Sequence, residues 1–585
     1  MANTRAERWW FAGISLLVFI YVLRRAASVP LVHDEATSFL AYAQTRHFLP
    51  FASMWDANNH FFNSLLGCIG YKLFGLHLLA LRWGSVLSFL LFAWSAWRIG
   101  TALGQRVVRW SFWLALLACP FLLDFFSLFR GYGPGMAFLI FSLQAVVRYA
   151  QVRRSKVLVL SLLSMAIANA FVLVLVPLWT VMMVLLLWYC RTDRRQLLIW
   201  VVLGVLPLAG AGGLALAMAR FDLLYHGSTE GFVEVTIRTL TRYVLGTFSW
   251  PVVIGCVLLL ATAVLTLFQR AWRDRLFTSP GFMLASLFAM EVFVRMVMAN
   301  VFGINYAEDR SALHTLVLGI LVLAFSMDAL AAERRALHWA ALLLLVLPMR
   351  SFINLNVDRT SLWPEQATPD RFVHQVEAIE RELGRPAVVG AYRLSGLTWS
   401  LQRRMLGGEG DVNAVGWPSG AHDVRLVDDR FRSEDMTGYA LVDSAPSIGL
   451  RLLVREPRIA TRPIADTSYY FSADGATRNV LFSREASALH KHDLFLEVAG
   501  SLASPHHPLD VRLCVAVFDT LDEPVHNDFV FLSTRRANWQ GEAFHTIRLV
   551  PQRVDAGRIE VWLWNPERAF VSADSGRVLM HVVER

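Results

Sequence analysis

Long apolar runs, separated by short loops that carry arginine, occupy residues 9 to 352 and restrict what this chain can fold into. A helix needs about 20 apolar residues to cross a bilayer, and most of these runs reach that length. The whole chain has 585 residues, a hydrophobic fraction of 55% and a mean hydropathy of +0.45, a balance that excludes a soluble globular protein. The first run, "WWFAGISLLVFIYVL", has no small-residue cleavage site, so we expect a retained helix and not a signal peptide.

Charge and cysteine content narrow the class further. The formal net charge is +9, but much of the arginine excess lies in short loops where basic residues fix orientation, so it does not indicate nucleic acid binding. Of the five cysteines, only Cys514 lies in the less hydrophobic part, residues 353 to 585, which therefore cannot form an internal disulfide. No Cys/His spacing typical of a metal site occurs. The sequence requires no cofactor, and a divalent cation stays an open alternative.

Clustered arginines mark the loops that we predict on the cytoplasmic side, where Lys and Arg accumulate. Consecutive clusters on one side must be separated by an even number of spans. Arg5 and Arg8 place the N-terminus on that side too, which predicts about 11 spans and an outer C-terminal region. The clusters are Arg98/Arg106/Arg109, Arg148/Arg153/Arg154/Lys156, Arg191/Arg194/Arg195, Arg270/Arg273/Arg275 and Arg334/Arg335.

Two segments depart from this regular alternation. Residues 60 to 75 are short, contain Lys72 and three glycines, and are predicted to form an interfacial helix that does not cross. Arg24 and Arg25 directly follow the first span and lie on the predicted outer side, against the charge rule. Because five later clusters agree with the rule, we keep the topology.

This topology places four polar segments on one outer face. They are "HDEATSF", "LDFFSLFRGYG", residues 220 to 248, and "INYAEDR". A transporter would more often bury its polar residues near the bilayer midplane, in paired interrupted helices. The arrangement therefore favours chemistry at one membrane interface over solute transport.

The residues on that face suit removal of a proton beside an anionic group. A carboxylate at an apolar boundary, such as Asp34 or Glu35, can act as a general base toward a hydroxyl. Arginine binds phosphate oxygens through its planar fork and stays charged, which fits Arg130 and Arg310. Each of these residues also has a structural alternative, a solvated loop acid or a headgroup anchor.

Two further pairs are ambiguous in the sequence. His226 and Glu230 are four residues apart and could ligate a metal, although two ligands alone are a weak signal. Glu291 and Arg295 lie one helical turn apart within an apolar segment and could form a buried pair. For this second pair a structural bridge is at least as good an interpretation as a functional one.

Taken in order, several of these motifs resemble the GT-C superfamily of polytopic glycosyltransferases, in the branch of protein O-mannosyltransferases and lipid-A aminoarabinose transferases. The resemblance covers roughly residues 9 to 350. It rests on an acidic "DE" after the first helix, a His before a short aromatic helix ending in "KLFG", the segment "LRWGSVLSFL", an Arg-x-Tyr, and the Arg of "EDRSALH".

The resemblance implies a polyprenyl-phosphate-linked sugar donor, an external acceptor hydroxyl and an inverting single displacement. It also implies roles for individual residues, with Asp34 as the base and Glu35 as its partner. The implied contacts to the donor phosphate or sugar are His60, Arg130 and Arg310. The further candidate substrate-binding residues on the same face are Asp124, Tyr132 and His226. Asp124 is included because Leu128 occupies the position where the family often has an acid.

The C-terminal part divides in two. Residues 353 to 460 contain an amphipathic helix followed by a β-branched strand and are predicted to form a small α/β region. Residues 461 to 585 alternate like the strands of a β-sandwich and resemble the end of jelly-roll carbohydrate-binding-like modules. Trp562 and Trp564 are predicted to pack in the core, and Trp539 is the better candidate for stacking on a sugar.

The sequence therefore predicts an α-helical polytopic, GT-C-like membrane domain over residues 1 to 352, followed by these two outer regions. Our preferred hypothesis is a glycosyltransferase of the bacterial inner membrane with a periplasmic C-terminal domain. Its partners would be a lipid-linked sugar donor, a glycan, lipid or protein acceptor, and membrane lipids, without nucleic acid. The alternative is a noncatalytic glycolipid-binding scaffold or carrier, and a solute transporter ranks third.

Overall fold

The computed structural model describes residues 5–584, except residues 51, 54, 225, 392–394, 409–420, 430–435, 486–491, 506–509, 533–539 and 552–555. The α-helices are numbered in chain order. They are α1 (Arg5–Ser28), α2 (His33–Ser38), α3 (Phe61–Phe74), α4 (Leu78–Gly100), α5 (Arg106–Leu117), α6 (Pro120–Phe126), α7 (Tyr132–Val152), α8 (Ser155–Phe171), α9 (Val176–Cys190), α10 (Arg194–Trp200), α11 (Leu206–Arg220), α12 (Arg238–Leu245), α13 (Trp250–Asp274), α14 (Pro280–Phe302), α15 (Leu313–Glu333), α16 (Val346–Ile353), α17 (Asp370–Leu383) and α18 (Ser395–Met405).

Short π-helical or 3₁₀-helical segments adjoin several of these helices or lie between them. The π-helical segments are Phe39–Ala43, Val201–Val205 and Val233–Ile237, and the 3₁₀-helical segments are Leu173–Leu175, Asp309–Ala312, Arg335–Leu345 and Pro364–Gln366.

Nine helices among the described residues are long and apolar enough to cross a membrane, or up to ten if one bent pair counts as a single span. Five of them are single α-helices, namely α1, α4, α7, α13 and α14. The other four join an α-helix to shorter helical segments and cover Leu173–Cys190, Arg194–Arg220, Asp309–Glu333 and Arg335–Ile353. The chain is a multi-pass membrane protein.

The sequence predicted about 11 spans. Nine of the predicted segments are the candidate spans given above, and the other two are also helical. The bent pair consists of α5 and α6, which meet at an angle of 48°. Pro120 begins α6 and holds Cys119 in an extended conformation, which interrupts the helix at this point. The other segment, α8, has 17 residues and is a shorter apolar helix. The predicted short helix after His60 is α3, with 14 residues, and it is not among the candidate spans.

Residues 1–28, 55–73 and 78–357 form one compact unit, which we call the helical unit. Ion pairs and hydrogen bonds of side chains join the helix ends at one side of the helical unit. Arg109 near the start of α5 binds Glu7 near the start of α1 at 3.1 Å. Asp328 near the end of α15 accepts the backbone N–H of Gln105 at 2.8 Å, and Arg273 near the end of α13 binds Glu333 at 2.5 Å. Arginine clusters that the sequence assigns to the cytoplasm thus lie at one common end.

Residues 29–54, 74–77 and 358–585 form the second compact unit. Its first sheet has the strand order β1-β2-β4-β3, with β1 parallel to β2 and the other neighbours antiparallel. Helix α17 contributes Phe372, Val373 and Val376 to the core of this α/β region. The strands are β1 (Val389–Ala391), β2 (Val424–Asp428), β3 (Tyr439–Ala445) and β4 (Leu450–Arg455).

Two four-stranded antiparallel sheets follow, in the orders β10-β7-β12-β5 and β6-β11-β8-β9. The chain passes repeatedly from one sheet to the other, and this order of strands is that of a jelly roll. The predicted jelly-roll-like sandwich is therefore confirmed. Its strands are β5 (Ala460–Asp474), β6 (Arg478–Glu485), β7 (Leu494–Ala503), β8 (Arg512–Asp519), β9 (Pro524–Phe531), β10 (Gln540–Val550), β11 (Ala556–Trp564) and β12 (Val571–Glu584).

The prediction that Trp562 and Trp564 pack in the sandwich core is wrong. Strand β11 turns Val561 and Leu563 into the core, and because side chains alternate along a strand, the tryptophans lie on the outer face. Trp564 is 36% exposed, with the guanidinium of Arg512 over its ring at 4.3 Å. Trp539, the predicted sugar-stacking residue, lies outside the described residues.

Candidate functional site

Helix α6 carries one predicted site residue, Asp124, and the structure pairs it with an arginine that breaks the charge rule. A side-chain oxygen of Asp124 binds Nη2 of Arg25, and both side chains are buried. Arg25 also donates to the carbonyl and side-chain oxygens of Asn356, at 2.8 and 2.9 Å. Arg25 lies in the last turn of the first span, α1. Its unusual position has a structural explanation, since the guanidinium faces a carboxylate inside the protein.

Three predicted site residues come together at the start of α7. Nη2 of Arg130 lies 2.5 Å from Oδ1 of Asn58 and 3.0 Å from Nε2 of His60. The ring of Tyr132 meets the His60 ring edge to face at 4.8 Å, and the Arg130 guanidinium lies 5.9 Å from its centroid. These three residues and Asn58 form what we call the Arg130 cluster.

The hydrogen bonds of His60 decide which of its ring nitrogens carries the proton. Nδ1 lies 2.7 Å from the carbonyl oxygen of Phe171, which can only accept, so Nδ1 is the donor. Arginine can only donate, so Nε2 of His60 accepts from Arg130. His60 is therefore a neutral acceptor that orients a permanently charged guanidinium, and the arrangement is suited to holding Arg130 toward an anion.

A second cluster forms around Asp309 and Arg310 at the start of the span that contains α15. Asp309 adopts a left-handed backbone conformation with φ of +41°, which is uncommon for a residue with a side chain. Its backbone N–H donates to Oγ1 of Thr239 at 3.1 Å, and its carboxylate lies 3.3 Å from Nε2 of His226 and 3.6 Å from Arg310. The structure thus brings the predicted residues His226 and Arg310 together through Asp309, whose joining role the sequence did not predict. We call this the Arg310 cluster.

Aromatic rings on α6 connect these two clusters. Phe125 contacts the Tyr132 ring at 5.1 Å, and Phe121 contacts both Phe125 at 5.4 Å and Tyr243 at 4.9 Å, stacked almost parallel to it. Burial raises the pKa of Tyr243, and the nearby Asp309 carboxylate raises it further. The rings therefore run from the Arg130 cluster to the neighbourhood of the Arg310 cluster, inside the helical unit.

The first-loop acids, Asp34 and Glu35, lie on α2, which belongs to the second unit. The carboxylate of Glu35 is buried and accepts the backbone N–H of Val32 at 3.1 Å, which caps the start of the helix. Asp34 is the neighbouring residue and is partly exposed. The two acids that the sequence treated as one pair therefore differ, because Glu35 has a clear structural contact at the helix start.

The α/β region holds this loop in place within the second unit. Helix α2 packs against α18. The backbone N–H of His33 donates to Oε1 of Gln366 at 2.7 Å, and Arg404 donates to Oε1 of Gln44 at 2.5 Å. The position of Asp34 is thus fixed by residues more than 300 positions further along the chain, which local sequence reasoning could not have found.

The sequence left open a metal site at His226 and Glu230. In the part of the chain that the structure describes, no group of three or more His, Cys, Asp or Glu side chains is arranged to hold a metal ion. His226 instead contacts Asp309.

No family model matches the sequence, and no curated protein matches it. Solved structures do match. The chain is similar to ArnT from Cupriavidus metallidurans, at 13% identity over 77% of this chain and 98% of that one, with a TM-score of 0.43 for the apo state. For ArnT bound to undecaprenyl phosphate the identity and coverage are the same and the TM-score is 0.46.

A mycobacterial structure matches over a longer stretch. The chain is similar to the arabinosyltransferase EmbB from Mycobacterium smegmatis, at 13% identity over 100% of this chain and 65% of that one, with a TM-score of 0.37.

Proposed function

We propose that this protein is a membrane glycosyltransferase that moves a sugar from a polyprenyl-phosphate donor to an acceptor hydroxyl. The observation that carries the proposal is the Arg130 cluster, in which the neutral side chains Asn58 and His60 hold a permanently charged guanidinium. A guanidinium held in one orientation can bind two phosphate oxygens at once, and it stabilises the negative charge that develops on a departing phosphate.

The proposed reaction is a single displacement with inversion at the anomeric carbon. The acceptor oxygen attacks that carbon while the bond from the carbon to the phosphate oxygen breaks, and the polyprenyl phosphate leaves with the electron pair. Arg130 and Arg310 stabilise the leaving phosphate, and the acceptor proton passes to the carboxylate of Asp34. Glu35 supports Asp34 by capping the first turn of α2.

The proposed orientation follows from the grouping of helix ends. Arginine clusters lie at the end of the helical unit where Arg109 binds Glu7. Because Lys and Arg accumulate in cytoplasmic loops, we assign this end to the cytoplasmic side. The Arg130 and Arg310 clusters lie at the opposite helix ends, where α7 and the α15 span begin, and are proposed to face outward. In a bacterium this corresponds to a protein of the inner membrane with its second unit in the periplasm, acting on a glycan, lipid or protein acceptor.

The direct test uses the full chain in lipid nanodiscs with polyprenyl-phosphate sugars extracted from the native membrane. Release of polyprenyl phosphate and labelling of the acceptor are measured together. We expect Asp34→Asn to lower the transfer rate by about 10²–10⁴-fold while donor binding is retained, because the base is lost and the phosphate contacts are not. Arg130→Gln is expected to weaken donor binding.

The matched control is Arg98→Gln, which removes an arginine from the end of α4 on the opposite side of the helical unit, where its guanidinium lies 6.0 Å from the Trp94 ring. It should leave both readouts unchanged. If Asp34→Asn and Glu35→Gln both transferred sugar at the rate of the unchanged protein, the proposed base would be wrong. Binding of glycolipid with no transfer to any extracted acceptor would favour the scaffold or carrier.

A further inference from the structure

Three ionisable side chains lie inside the helical unit, outside the two clusters described above. They are Glu291 and Arg295 on α14 and His314 on α15, with exposures of 0%, 5% and 0%. Ionisable groups within a membrane span are costly and are usually paired or functional. The sequence predicted the Glu291–Arg295 pair, but it did not predict His314 as a third member.

One guanidinium joins the three residues. Nε of Arg295 donates to Oε1 of Glu291, and its Nη2 lies 3.0 Å from Nε2 of His314. The same nitrogen of His314 is 2.9 Å from Oε1 of Glu291. Glu291 balances the charge of Arg295, and the contacts to His314 fasten α14 to the first turn of α15, one turn beyond Arg310.

Arg295 also contacts the break between α8 and α9. Its Nη2 donates to the carbonyl oxygen of Val174 at 2.9 Å. Three residues earlier, the carbonyl oxygen of Phe171 accepts the Nδ1–H of His60 at 2.7 Å. Phe171 is the last residue of α8, and Val174 lies in the 3₁₀-helical segment before α9. Because the two carbonyls are only three residues apart, a bond that fixes Val174 also restricts where the Phe171 carbonyl points.

We infer that Glu291, Arg295 and His314 form a positioning network that sets the orientation of His60 through the Phe171–Val174 stretch and holds the start of α15 beside Arg310. Its three members are positioning residues, and none is proposed to touch the substrate. The network acts by holding the acceptor nitrogen of His60 toward Arg130. Its consequence for sugar transfer rests on the proposed function, whereas its effect on His60 does not.

The variant must remove the guanidinium contact without leaving a buried carboxylate unpaired. Arg295→Met alone would leave Glu291 inside the protein without its cation and could prevent folding. The double variant Glu291→Gln/Arg295→Met removes both charges and the bond to Val174. The matched control is Glu7→Gln/Arg109→Met, since this pair is also buried in the helical unit and its atoms are 3.1 Å apart, but it lies at the other helix ends.

The first measurement is ¹⁵N NMR of histidine-labelled protein in nanodiscs, with the His60 signals identified by their loss in His60→Gln. In the unchanged protein we expect a neutral ring with its proton on Nδ1. Glu291→Gln/Arg295→Met should give a mixture of the two tautomers, and Glu7→Gln/Arg109→Met should not. Identical His60 signals in all three proteins would overturn the inference, whether or not the protein transfers sugar.

The second measurement asks whether the network acts on transfer through His60. Glu291→Gln/Arg295→Met should lower the rate about tenfold or more in the otherwise unchanged protein, because small displacements of positioning groups have effects of that size. With His60→Gln already present, the same change should lower the rate by less than about twofold, since its target is gone. Equal losses in both backgrounds would show a general structural effect and overturn the link to transfer. If Glu291→Gln/Arg295→Met changed the His60 signal but the unchanged protein transferred no sugar, the network would stand and the proposed function would be rejected.

Discussion

Arg25 on α1 and Asp124 on α6 form an ion pair in which both side chains are buried, at 1% and 3% exposure. Removing one member of such a pair leaves an uncompensated charge inside the protein, and this is more harmful than removing both. Asp124→Ala should therefore lower the free energy of unfolding by about 3–5 kcal/mol, whereas Arg25→Met/Asp124→Leu should recover most of that loss. Thermal unfolding in nanodiscs measures the difference. If Asp124→Ala kept its stability but lost donor binding, Asp124 would be a substrate contact after all.

Asp34 and Glu35 should respond differently to loss of the carboxylate. Glu35→Ala removes the acceptor for the Val32 N–H and should cost about 0.5–2 kcal/mol of stability, as loss of a helix cap does. Glu35→Gln retains an acceptor oxygen and should preserve both stability and transfer. Asp34→Asn should leave stability within about 0.5 kcal/mol of the unchanged protein, which separates a base from a cap. Denaturation and transfer assays on the three variants test this pattern. A large loss of rate in Glu35→Gln with normal stability would reverse the two roles.

The jelly roll contains a carboxylate whose protonation should affect its stability. Hydrogen bonding from His545, at 2.8 Å, lowers the pKa of Glu497 below its usual value of 4.5, and the nearby His581 lowers it further. A carboxyl group with a depressed folded-state pKa stabilises the protein above the unfolded-state pKa of 4.5 and loses that contribution as the pH falls toward and through the folded-state value. The protection of β7 amides in the full chain, taken as their exchange rate relative to that of an unfolded chain at the same pH, should therefore be lower below about pH 4.5 than at pH 7. Glu497→Gln should reduce this loss of protection, and an identical pH dependence of protection in the variant would contradict the assignment.

The orientation of β11 gives a prediction with an internal control. Leu563 lies in the sandwich core, and Leu563→Ala should destabilise the sandwich by about 2–5 kcal/mol. Trp564 is the next residue along but lies on the outer face, so Trp564→Ala should lose about 0.5–1 kcal/mol from its contact with Arg512 and little from core packing. Hydrogen exchange of β11 in the full chain compares the two. If Leu563→Ala and Trp564→Ala lowered the protection of β11 equally, Trp564 would have to pack in the core.

Much of the helical architecture was predictable because each span must satisfy its own backbone hydrogen bonds and present apolar side chains to lipid. That requirement acts on each segment separately, so hydropathy located every predicted segment, including α8 and the bent pair. The arrangement of the polar groups could not be predicted in this way. His60 binds a carbonyl more than 100 residues away, and neither the Phe171 side chain nor its neighbours indicate this.

The two faces of β11 show a second limit. Val561 and Leu563 alternate with Trp562 and Trp564, so both faces of the strand are apolar and the pattern does not indicate which one is buried. We expected the two tryptophans in the core because they share one face of the strand. The structure buries the smaller pair, and it covers the outer rings with the guanidinium groups of Arg478, 4.6 Å from the Trp562 ring, and Arg512.

The contacts of α2 have a consequence for dividing this protein into parts. Gln366 and α18, which hold the loop that contains Asp34, come from the C-terminal part of the sequence. A chain shortened after residue 357 would retain every candidate membrane span, yet it would lack these partners. Exchange of the C-terminal part between related proteins would therefore also replace the contacts that determine the conformation of the first loop.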